Sequence, residues 1–153
     1  MIIDGEIVHL QVWDTAGQER YKSLGFSFYR GADCVLLVYD VTSPASYHSI
    51  QSWKEEFLAI SDPKDPETFP FVVVGNKIDL RKDTSCPNKI QDLMACDYEV
   101  PCFEVSALDG TGVELAFRKA AKMAMEKDFE ERFFEIIPEV TCHNTNGRSK
   151  CYC

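Results

Sequence analysis

The sequence of 153 residues lacks the features of a membrane-spanning, exported or nucleic-acid-binding chain. Its longest uninterrupted apolar run, Cys34 to Tyr39, is far shorter than the roughly 20 residues that cross a bilayer. Met1 is not followed by a basic and then an apolar leader. Basic residues are scarce, since 16 Lys and Arg stand against 25 Asp and Glu, a formal net charge of −9. Nucleic-acid binding depends on clustered cations, so we expect no nucleic-acid partner. Because a membrane-spanning run and a leader are both missing, we expect a cytosolic protein.

Cysteines in a regular pairing pattern are also missing. The seven cysteines are odd in number and irregular in spacing, so we do not expect a disulfide framework. Cys34 and Cys102 lie in apolar patterns that predict buried thiols. The C-terminal region contains a group of potential metal ligands: Cys142, His143, Cys151 and Cys153. Their spacing matches none of the common structural zinc patterns, which disfavours a metal site there.

The sequence opens with the pattern of a β-hairpin. Val8, Leu10 and Val12 alternate with polar neighbours, as in a half-exposed strand. Asp4-Gly5 is a turn signal that would join this strand to Met1 to Ile3. The chain is therefore predicted to begin in a β-ribbon.

The rest of the sequence alternates strand and helix patterns. The predicted parallel strands are Cys34 to Tyr39, Phe71 to Val74 and Pro101 to Val105. One helix is predicted after Ser43-Pro44, an N-cap followed by proline, and another after Thr111, which forms a capping-box pattern with Glu114. This order indicates an α/β domain with helices on both sides of a parallel sheet. Ligands of such folds bind at the carboxyl ends of the strands.

The first element at such an end is Asp14-Thr15-Ala16-Gly17-Gln18, which follows the strand predicted to end at Trp13. Its aspartate can hold Mg²⁺ through water, and Gly17 lets a backbone N–H approach a terminal phosphate. D-x-x-G alone is common by chance, and the alternative is an aspartate that caps a helix. The octapeptide Trp13 to Arg20, WDTAGQER, resembles the switch II element of Ras-like small GTPases. The resemblance implies that Gln18 orients the attacking water in GTP hydrolysis.

The second element is Asn76-Lys77-Ile78-Asp79, which follows the strand predicted to end at Val74. A carboxylate in this loop can accept hydrogen bonds from N1–H and the 2-amino group of guanine, whereas adenine offers neither donor on that edge. For N-K-x-D alone, an Asn/Asp-rich turn is the alternative. Its position after D-x-x-G and after a strand favours guanine recognition by Asn76, Lys77 and Asp79.

The third element is Glu104 to Leu108, EVSAL, which follows the last predicted strand. It resembles the S-A-K loop of the same family, in which a backbone N–H contacts the guanine O6. The resemblance places Ser106 and Ala107 on the guanine side of the site. Leu108 stands where the family usually has lysine, and its apolar side chain could still cover a ring face.

Longer segments are similar to the Rab branch of this family, and most similar to its late-endosomal subfamily. They are SLGFSFYRGADCVLLVYDVTSPASYHSIQSWKEEFL and DPKDPETFPFVVVGNKIDL. The implied fold is α/β, a P-loop NTPase-like small GTPase domain with a mostly parallel sheet and helices on both faces. We expect residues 1–134 to form a partial Rab-type GTPase domain and residues 135–153 to form a flexible tail.

The resemblance also implies ligands, partners and a location. The ligands are Mg²⁺ and GTP or GDP, and the function is control of vesicle and protein transport at the late endosome and lysosome. The partners are the prenylation machinery, GDP-dissociation inhibitor, exchange factors, GTPase-activating proteins and effectors. The location is the cytosol and the cytosolic face of endosomal and lysosomal membranes, as a lipid-anchored peripheral protein.

The sequence ends in a C-x-C motif, Cys151-Tyr152-Cys153, after a polar stretch typical of a flexible tether, Thr141 to Lys150. In Rab proteins such an ending resembles the site of double geranylgeranylation, which implies lipidation of Cys151 and Cys153. One lipid gives marginal membrane binding and two give stable anchoring. An unmodified terminus is the alternative.

A phosphate-binding loop is missing from the sequence. The motif G-x-x-x-x-G-K-[ST] should precede D-x-x-G, and none of the eight glycines begins it. In the resembling family, the strand that carries this loop lies between the strand ending at Trp13 and the strand Cys34 to Tyr39. The predicted domain therefore lacks its first, central strand, its first helix and the switch I threonine. Of the parts that hold triphosphate and metal, Asp14, Gly17 and Gln18 remain.

Three hypotheses follow from this combination of motifs. In the first, the gene encodes a Rab GTPase, and the 153 residues lack its first segment through splicing, fragmentation or an error in the gene model. In the second, the chain is a lipidated binding module, or a decoy for Rab partners, that acts without nucleotide. In the third, it is an unstable, nonfunctional product. For the chain as written, we expect impaired nucleotide binding.

Overall fold

The computed structural model describes residues 1–15, 29–81 and 100–136, with side chains described as far as residue 127. The chain opens in a short hairpin, in which β1 (Ile2–Ile3) pairs antiparallel with β2 (Glu6–Ile7). Asp4 and Gly5 between them both have positive φ, 49° and 91°. Positive φ at both central residues is what a two-residue turn of type I′ requires. The predicted hairpin is thereby confirmed.

The strand predicted over Val8 to Trp13 is wrong beyond its first residue. Val8 exchanges two hydrogen bonds of 2.9 Å with the backbone of Met1, but residues 9–15 form no strand. Val12 and Trp13 are 65% and 54% exposed. Alternating hydrophobicity produces a strand only where a neighbouring strand supplies hydrogen bonds, and within the described ranges no strand pairs with this segment.

Among the described residues, the main sheet has three parallel strands in the order β3-β4-β5. They are β3 (Val35–Asp40), β4 (Phe71–Asn76) and β5 (Cys102–Glu104). The three predicted strands are therefore confirmed, with ends shifted by one or two residues. Asp40 lies opposite Asn76, and Gly75 lies opposite Glu104. This register brings the carboxyl ends of all three strands to one edge of the sheet.

Two long α-helices and a 3-10 turn flank the strands in the described part of the chain. Helix α1 (Pro44–Ser61) follows β3, with Pro44 in its first turn and Ser43 at the N-cap in an extended conformation, as predicted. Helix α2 (Val113–Ile136) follows β5, and it begins two residues later than the cap predicted at Thr111. A 3-10 turn, Ile78–Leu80, follows β4. None of the helices in the described part of the chain combines the length and apolar character needed to cross a membrane.

The two helices pack on opposite faces of the sheet. Side chains alternate between the faces along β4, because successive residues of a strand point in opposite directions. One core cluster joins α1 to the sheet through Leu37, Tyr39, Ile50, Phe57, Phe69, Phe71 and Val73. The other joins α2 to the sheet through Val72, Val74, Val105, Ala116 and Ala120. The predicted α/β architecture, with helices on both faces, is confirmed.

The described cysteines depart in part from the sequence prediction. Cys34 and Cys102 are both free thiols. Cys34 is half-buried, and burial raises the pKa of its thiol to about 11. Cys102 is exposed, so its predicted burial is wrong. It is the first residue of β5, which is the outer strand of the described sheet, and therefore it has a strand neighbour on one side alone.

The hairpin is joined to the rest of the domain through α2. The Arg118 guanidinium donates a 2.6 Å hydrogen bond to the Ile2 carbonyl, and the Lys122 ammonium lies 2.9 Å from the Asp4 carboxylate. No ladder in the described part of the chain joins the hairpin to the main sheet.

Candidate functional site

The carboxyl ends of the three main strands carry the loops that contain the predicted guanine-side residues. Backbone hydrogen bonds hold these loops together: Val41 N–H donates to the Asn76 carbonyl at 3.0 Å, and Val105 N–H donates to the Gly75 carbonyl at 2.8 Å. Ile78 N–H then donates to the Val105 carbonyl at 3.2 Å. The strand ends are thus fixed relative to one another where open α/β sheets bind ligands.

The side chain of Asn76 joins two of the predicted motifs. Its Oδ1 accepts a hydrogen bond of 2.7 Å from Lys77 N–H and one of 2.9 Å from Ala107 N–H. The two loops are far apart in sequence, and this single amide oxygen fixes their spacing. Asn76 therefore assembles the site in addition to lying within it.

Ser106 and Asp79 form the second connection between these loops. Ser106 is completely buried, and its hydroxyl donates a 2.7 Å hydrogen bond to Asp79 Oδ1. The same hydroxyl oxygen accepts from Asp109 N–H at 3.4 Å. Asp79 itself is exposed. The Ser106 hydroxyl thereby orients one oxygen of the Asp79 carboxylate, while the Asp79 side chain stays accessible to hydrogen-bond donors of a ligand.

The loop from Ser106 to Gly112 is held by short-range hydrogen bonds. Ser106 N–H donates to the Thr111 carbonyl and Gly110 N–H to the Ser106 carbonyl, both at 2.9 Å. Thr111 N–H donates to Asp109 Oδ1 at 2.8 Å, and this bond holds the pKa of Asp109 below its ordinary value. Gly112 closes the loop at φ 72°, where a Cβ would lie 2.6 Å from the Glu104 carbonyl oxygen. A side chain at this position would force the loop away from β5.

Asp40 belongs to the site, although the sequence analysis assigned it no role. Its Oδ2 lies 2.6 Å from the Lys77 ammonium, and its Oδ1 accepts hydrogen bonds from the Thr42 hydroxyl and N–H at 2.6 and 2.8 Å. Bonding to Lys77, and then to Thr42, lowers the pKa of Asp40 to about 2. The sequence signal that could have identified it is D-x-T directly after a buried strand that neighbours the N-K-x-D strand.

Arg81 and Glu104 form a second pair that the sequence analysis did not identify. The Arg81 guanidinium makes two hydrogen bonds, of 3.0 and 2.6 Å, to the two carboxylate oxygens of Glu104. Bidentate pairs of this kind fix orientation as well as distance. Since Arg81 follows Asp79 by two residues and Glu104 precedes Ser106 by two, the pair is a further connection between the same two segments.

The predicted phosphate and metal side is represented by one described residue. Asp14 is exposed and lies near the end of the first described range. Gly17 and Gln18 lie outside the described residues, as do Cys151 and Cys153. Within the described ranges, no group of three His, Cys, Asp or Glu side chains could hold a metal ion. Asp14 alone does not form a Mg²⁺ site, because Mg²⁺ requires a near-octahedral set of oxygens.

Leu108, at the position of the family's lysine, is 83% exposed. It follows Ala107 directly, so its side chain lies next to the connection between the two loops. An exposed apolar side chain at this place is accessible to the face of a planar ligand. That Leu108 covers a ring face stays a prediction.

Comparison with known proteins identifies relatives along the whole chain. The family model described as the Ras family matches residues 1–126. The chain is 42% identical to the Ras-related protein Rab7 of Drosophila melanogaster over 158 aligned residues, which cover 100% of the chain and 76% of that protein. It is 50% identical to the Ras-related protein Rab-7a of Paramecium octaurelia, with 98% and 74% covered. The Ypt/Rab-type GTPase ypt7 of Schizosaccharomyces pombe is 41% identical, with 100% and 76% covered.

Proposed function

Because this chain belongs to the Ras family, and within it to the Rab branch of small GTPases, we propose that it acts in vesicle and endosome traffic through guanine-nucleotide binding. The observation that carries the proposal is the bond between the buried Ser106 hydroxyl and Asp79. This bond orients the exposed carboxylate of Asp79 at the edge of the sheet where the carboxyl ends of the strands meet. The proposed location is the cytosolic face of late-endosomal and lysosomal membranes.

Guanine supplies two hydrogen-bond donors on one edge, and Asp79 supplies the acceptors. Adenine has no donor pair on that edge, so binding it would leave the desolvated carboxylate without partners. Guanine O6 would accept a hydrogen bond from Ala107 N–H. This bond would share the donor with Asn76 Oδ1, which now accepts it at 2.9 Å, or would replace that bond. We therefore assign base selection to Asp79, with Asn76, Lys77 and Ala107 completing the guanine side.

The phosphate side is the second part of the proposal. The 153 residues contain no G-x-x-x-x-G-K-[ST] sequence, so they lack the backbone donors and the lysine that hold the β- and γ-phosphates. We propose that this polypeptide binds nucleotide weakly and mainly through the base. In a form that also contains a phosphate-binding loop, Asp14 would hold Mg²⁺ through water, Gly17 would contact the γ-phosphate and Gln18 would orient the attacking water.

A paired binding experiment tests both parts. The 153-residue chain is compared with a chimaera that carries, at its amino end, the phosphate-loop segment of a Rab7 relative. A fluorescent GDP analogue should bind the chimaera in a Mg²⁺-dependent manner and bind the shorter chain weakly. Submicromolar, Mg²⁺-dependent binding to the shorter chain would reject the second part. A folded chimaera that binds no nucleotide would reject the guanine-switch proposal.

A second candidate function is a lipidated binding module that works without nucleotide. It is favoured by the combination of a terminal C-x-C motif with the absence of a phosphate-loop sequence. Purified prenylation enzymes with a geranylgeranyl donor should add two lipids to the chain, and one to Cys151→Ser or Cys153→Ser variants. In cells, membrane recruitment that Asp79→Asn leaves unchanged favours this module. Recruitment that Asp79→Asn abolishes favours the nucleotide switch.

A further inference from the structure

Lys77 has an unusual backbone conformation within the guanine-side loop. Its φ is 70° and its ψ is 36°, in the left-handed region that residues with a side chain seldom adopt. A neighbouring asparagine oxygen accepts its N–H, and its ammonium reaches across to the end of β3. Contacts at both ends of the residue therefore hold this conformation.

The Asp40 carboxylate is held in place by Thr42 as well as by Lys77. Thr42 occupies Oδ1 with two short hydrogen bonds, which leaves Oδ2 directed at the ammonium 2.6 Å away. The side chain of Asp40 is 23% exposed and that of Lys77 is 50% exposed. The carboxylate is thus the more buried partner and has further hydrogen bonds, so its position determines where the lysine side chain ends.

Fixing the lysine head also fixes its stem. Four methylene groups held between the Lys77 backbone and Asp40 form an apolar strip beside the loop that presents Asp79. Packing on such a strip stabilises a bound planar base. Binding is tighter when the side chain is already ordered, because less rotamer entropy is lost on binding.

Resting on the proposed guanine binding, we propose that Asp40 is a positioning residue for the base: it orders the Lys77 stem and stabilises the left-handed turn that presents Asp79. Asp40 does not touch the nucleotide and acts through the Lys77 ammonium. The lowered pKa of Asp40, about 2, agrees with this role, since the carboxylate is charged at neutral pH.

The test is a double-mutant cycle on the full chain with GMP as the probe. Asp40→Asn keeps an oxygen for Thr42 and removes the charge, and Lys77→Met removes the ammonium and keeps an apolar stem. Amide chemical shifts in NMR spectra give the GMP dissociation constant of each variant and report whether the variant is folded. The matched control is Asp4→Asn, which breaks another Asp–Lys ion pair, with Lys122, at the hairpin.

We expect Asp40→Asn to weaken GMP binding about fivefold, the upper range for a partly exposed ion pair, and Asp4→Asn to leave it unchanged. In the Lys77→Met background, Asp40→Asn should have no further effect. A merely structural role would weaken binding equally in both backgrounds.

Two results overturn the proposal in distinguishable ways. If the wild-type chain binds GMP and folded Asp40→Asn binds it equally well, or if the two substitutions are additive, the positioning role is wrong and the proposed guanine binding stands. If the wild-type chain does not bind GMP at millimolar concentration, both the guanine-binding proposal and the positioning role are wrong.

Discussion

Replacing Gly112 by alanine should separate the Ser106 loop from β5 and destabilise the domain. The residue has φ 72°, and a Cβ there would lie 2.6 Å from the Glu104 carbonyl oxygen and 3.3 Å from a Val105 methyl group. The left-handed conformation costs an alanine about 1–2 kcal/mol. Relieving the clash with backbone costs about 1–3 kcal/mol more, as in other overpacked positions. We expect the free energy of unfolding to fall by about 2–5 kcal/mol.

Gly110 provides the matched control within the same loop. Its φ is 84°, and a Cβ there would meet nothing within 4 Å. Gly110→Ala should therefore lose only the conformational part, about 1–2 kcal/mol. Urea unfolding followed by far-ultraviolet circular dichroism measures both variants under the same conditions, and an unchanged denaturant slope shows that the unfolded states are comparable.

The difference in the free energy of unfolding between Gly112→Ala and Gly110→Ala measures the cost of the clash with the Glu104 carbonyl. Because Ser106 and Ala107 belong to the displaced loop, folded Gly112→Ala should also bind GMP more weakly than Gly110→Ala. Equal destabilisation by both substitutions would refute the close approach of Gly112 to the Glu104 carbonyl. It would also refute the inference that this approach sets the position of the guanine-side loop.

Further expected results concern the site itself. Ser106→Ala should lower the free energy of unfolding by about 1–2 kcal/mol, because it removes a buried hydroxyl that bonds a carboxylate; a change below about 0.5 kcal/mol would contradict that. The folded-state pKa of Asp40 is depressed from 3.8 to about 2, so its contribution to stability is present above about pH 4 and is lost as the pH falls through 2. In acid titrations, the stability of Asp40→Asn should accordingly fall less steeply than that of the wild-type chain over this window, and parallel curves would exclude the Lys77 pair as its cause. In a chimaera that contains a phosphate-binding loop, Gln18→Leu should slow GTP hydrolysis and keep GTP binding, as single-turnover assays with a GTPase-activating protein would measure; unchanged hydrolysis would remove Gln18 from its assigned role. In the same chimaera, Asp79→Asn should reduce the preference for GDP over ADP, and an unchanged preference would reject Asp79 as the base-selecting carboxylate.

Local patterns predicted most of the fold. The apolar run around Val73 is buried on both faces of the sheet, and its composition alone indicates a parallel strand. The run around Leu37 has the same composition, although Val38 on its other face is 46% exposed. The Asp4-Gly5 turn likewise encodes the hairpin, because those residue types tolerate positive φ. Helix α1 could be located from Ser43 and the proline that follows it.

The errors arose where tertiary neighbours decide the outcome. The alternating pattern through Leu10 and Val12 has the period of a strand, yet a strand needs a hydrogen-bonded partner as well as a pattern. Periodicity alone would also place Trp53 on the buried face of α1 with Ile50 and Phe57, whereas Trp53 is 40% exposed. The width of the buried stripe depends on the packed sheet, and periodicity does not specify it.

The candidate site was predictable where a motif is contiguous and not where contacts join distant residues. Asn76 and Asp79 follow from N-K-x-D, and Ser106 follows from its loop. The Asp40–Lys77 pair joins residues 37 positions apart, and the register of two parallel strands brings them together. That register is a property of the folded sheet, so the D-x-T and N-K-x-D sequences indicate the pair only when the two strands are known to be neighbours.

The central claim is that the described loops form a preassembled site for guanine, and titration of the 153-residue chain with GMP and with AMP tests it most directly. We predict saturable amide shifts with GMP, confined to Asn76–Asp79, Ser106–Ala107 and their neighbours, and no saturable shifts with AMP over the same range. Since these 153 residues contain no G-x-x-x-x-G-K-[ST] sequence, we predict that GDP binds with nearly the affinity of GMP, with or without Mg²⁺. Equal shifts with both nucleotides, or no saturable shifts with GMP, would contradict the account.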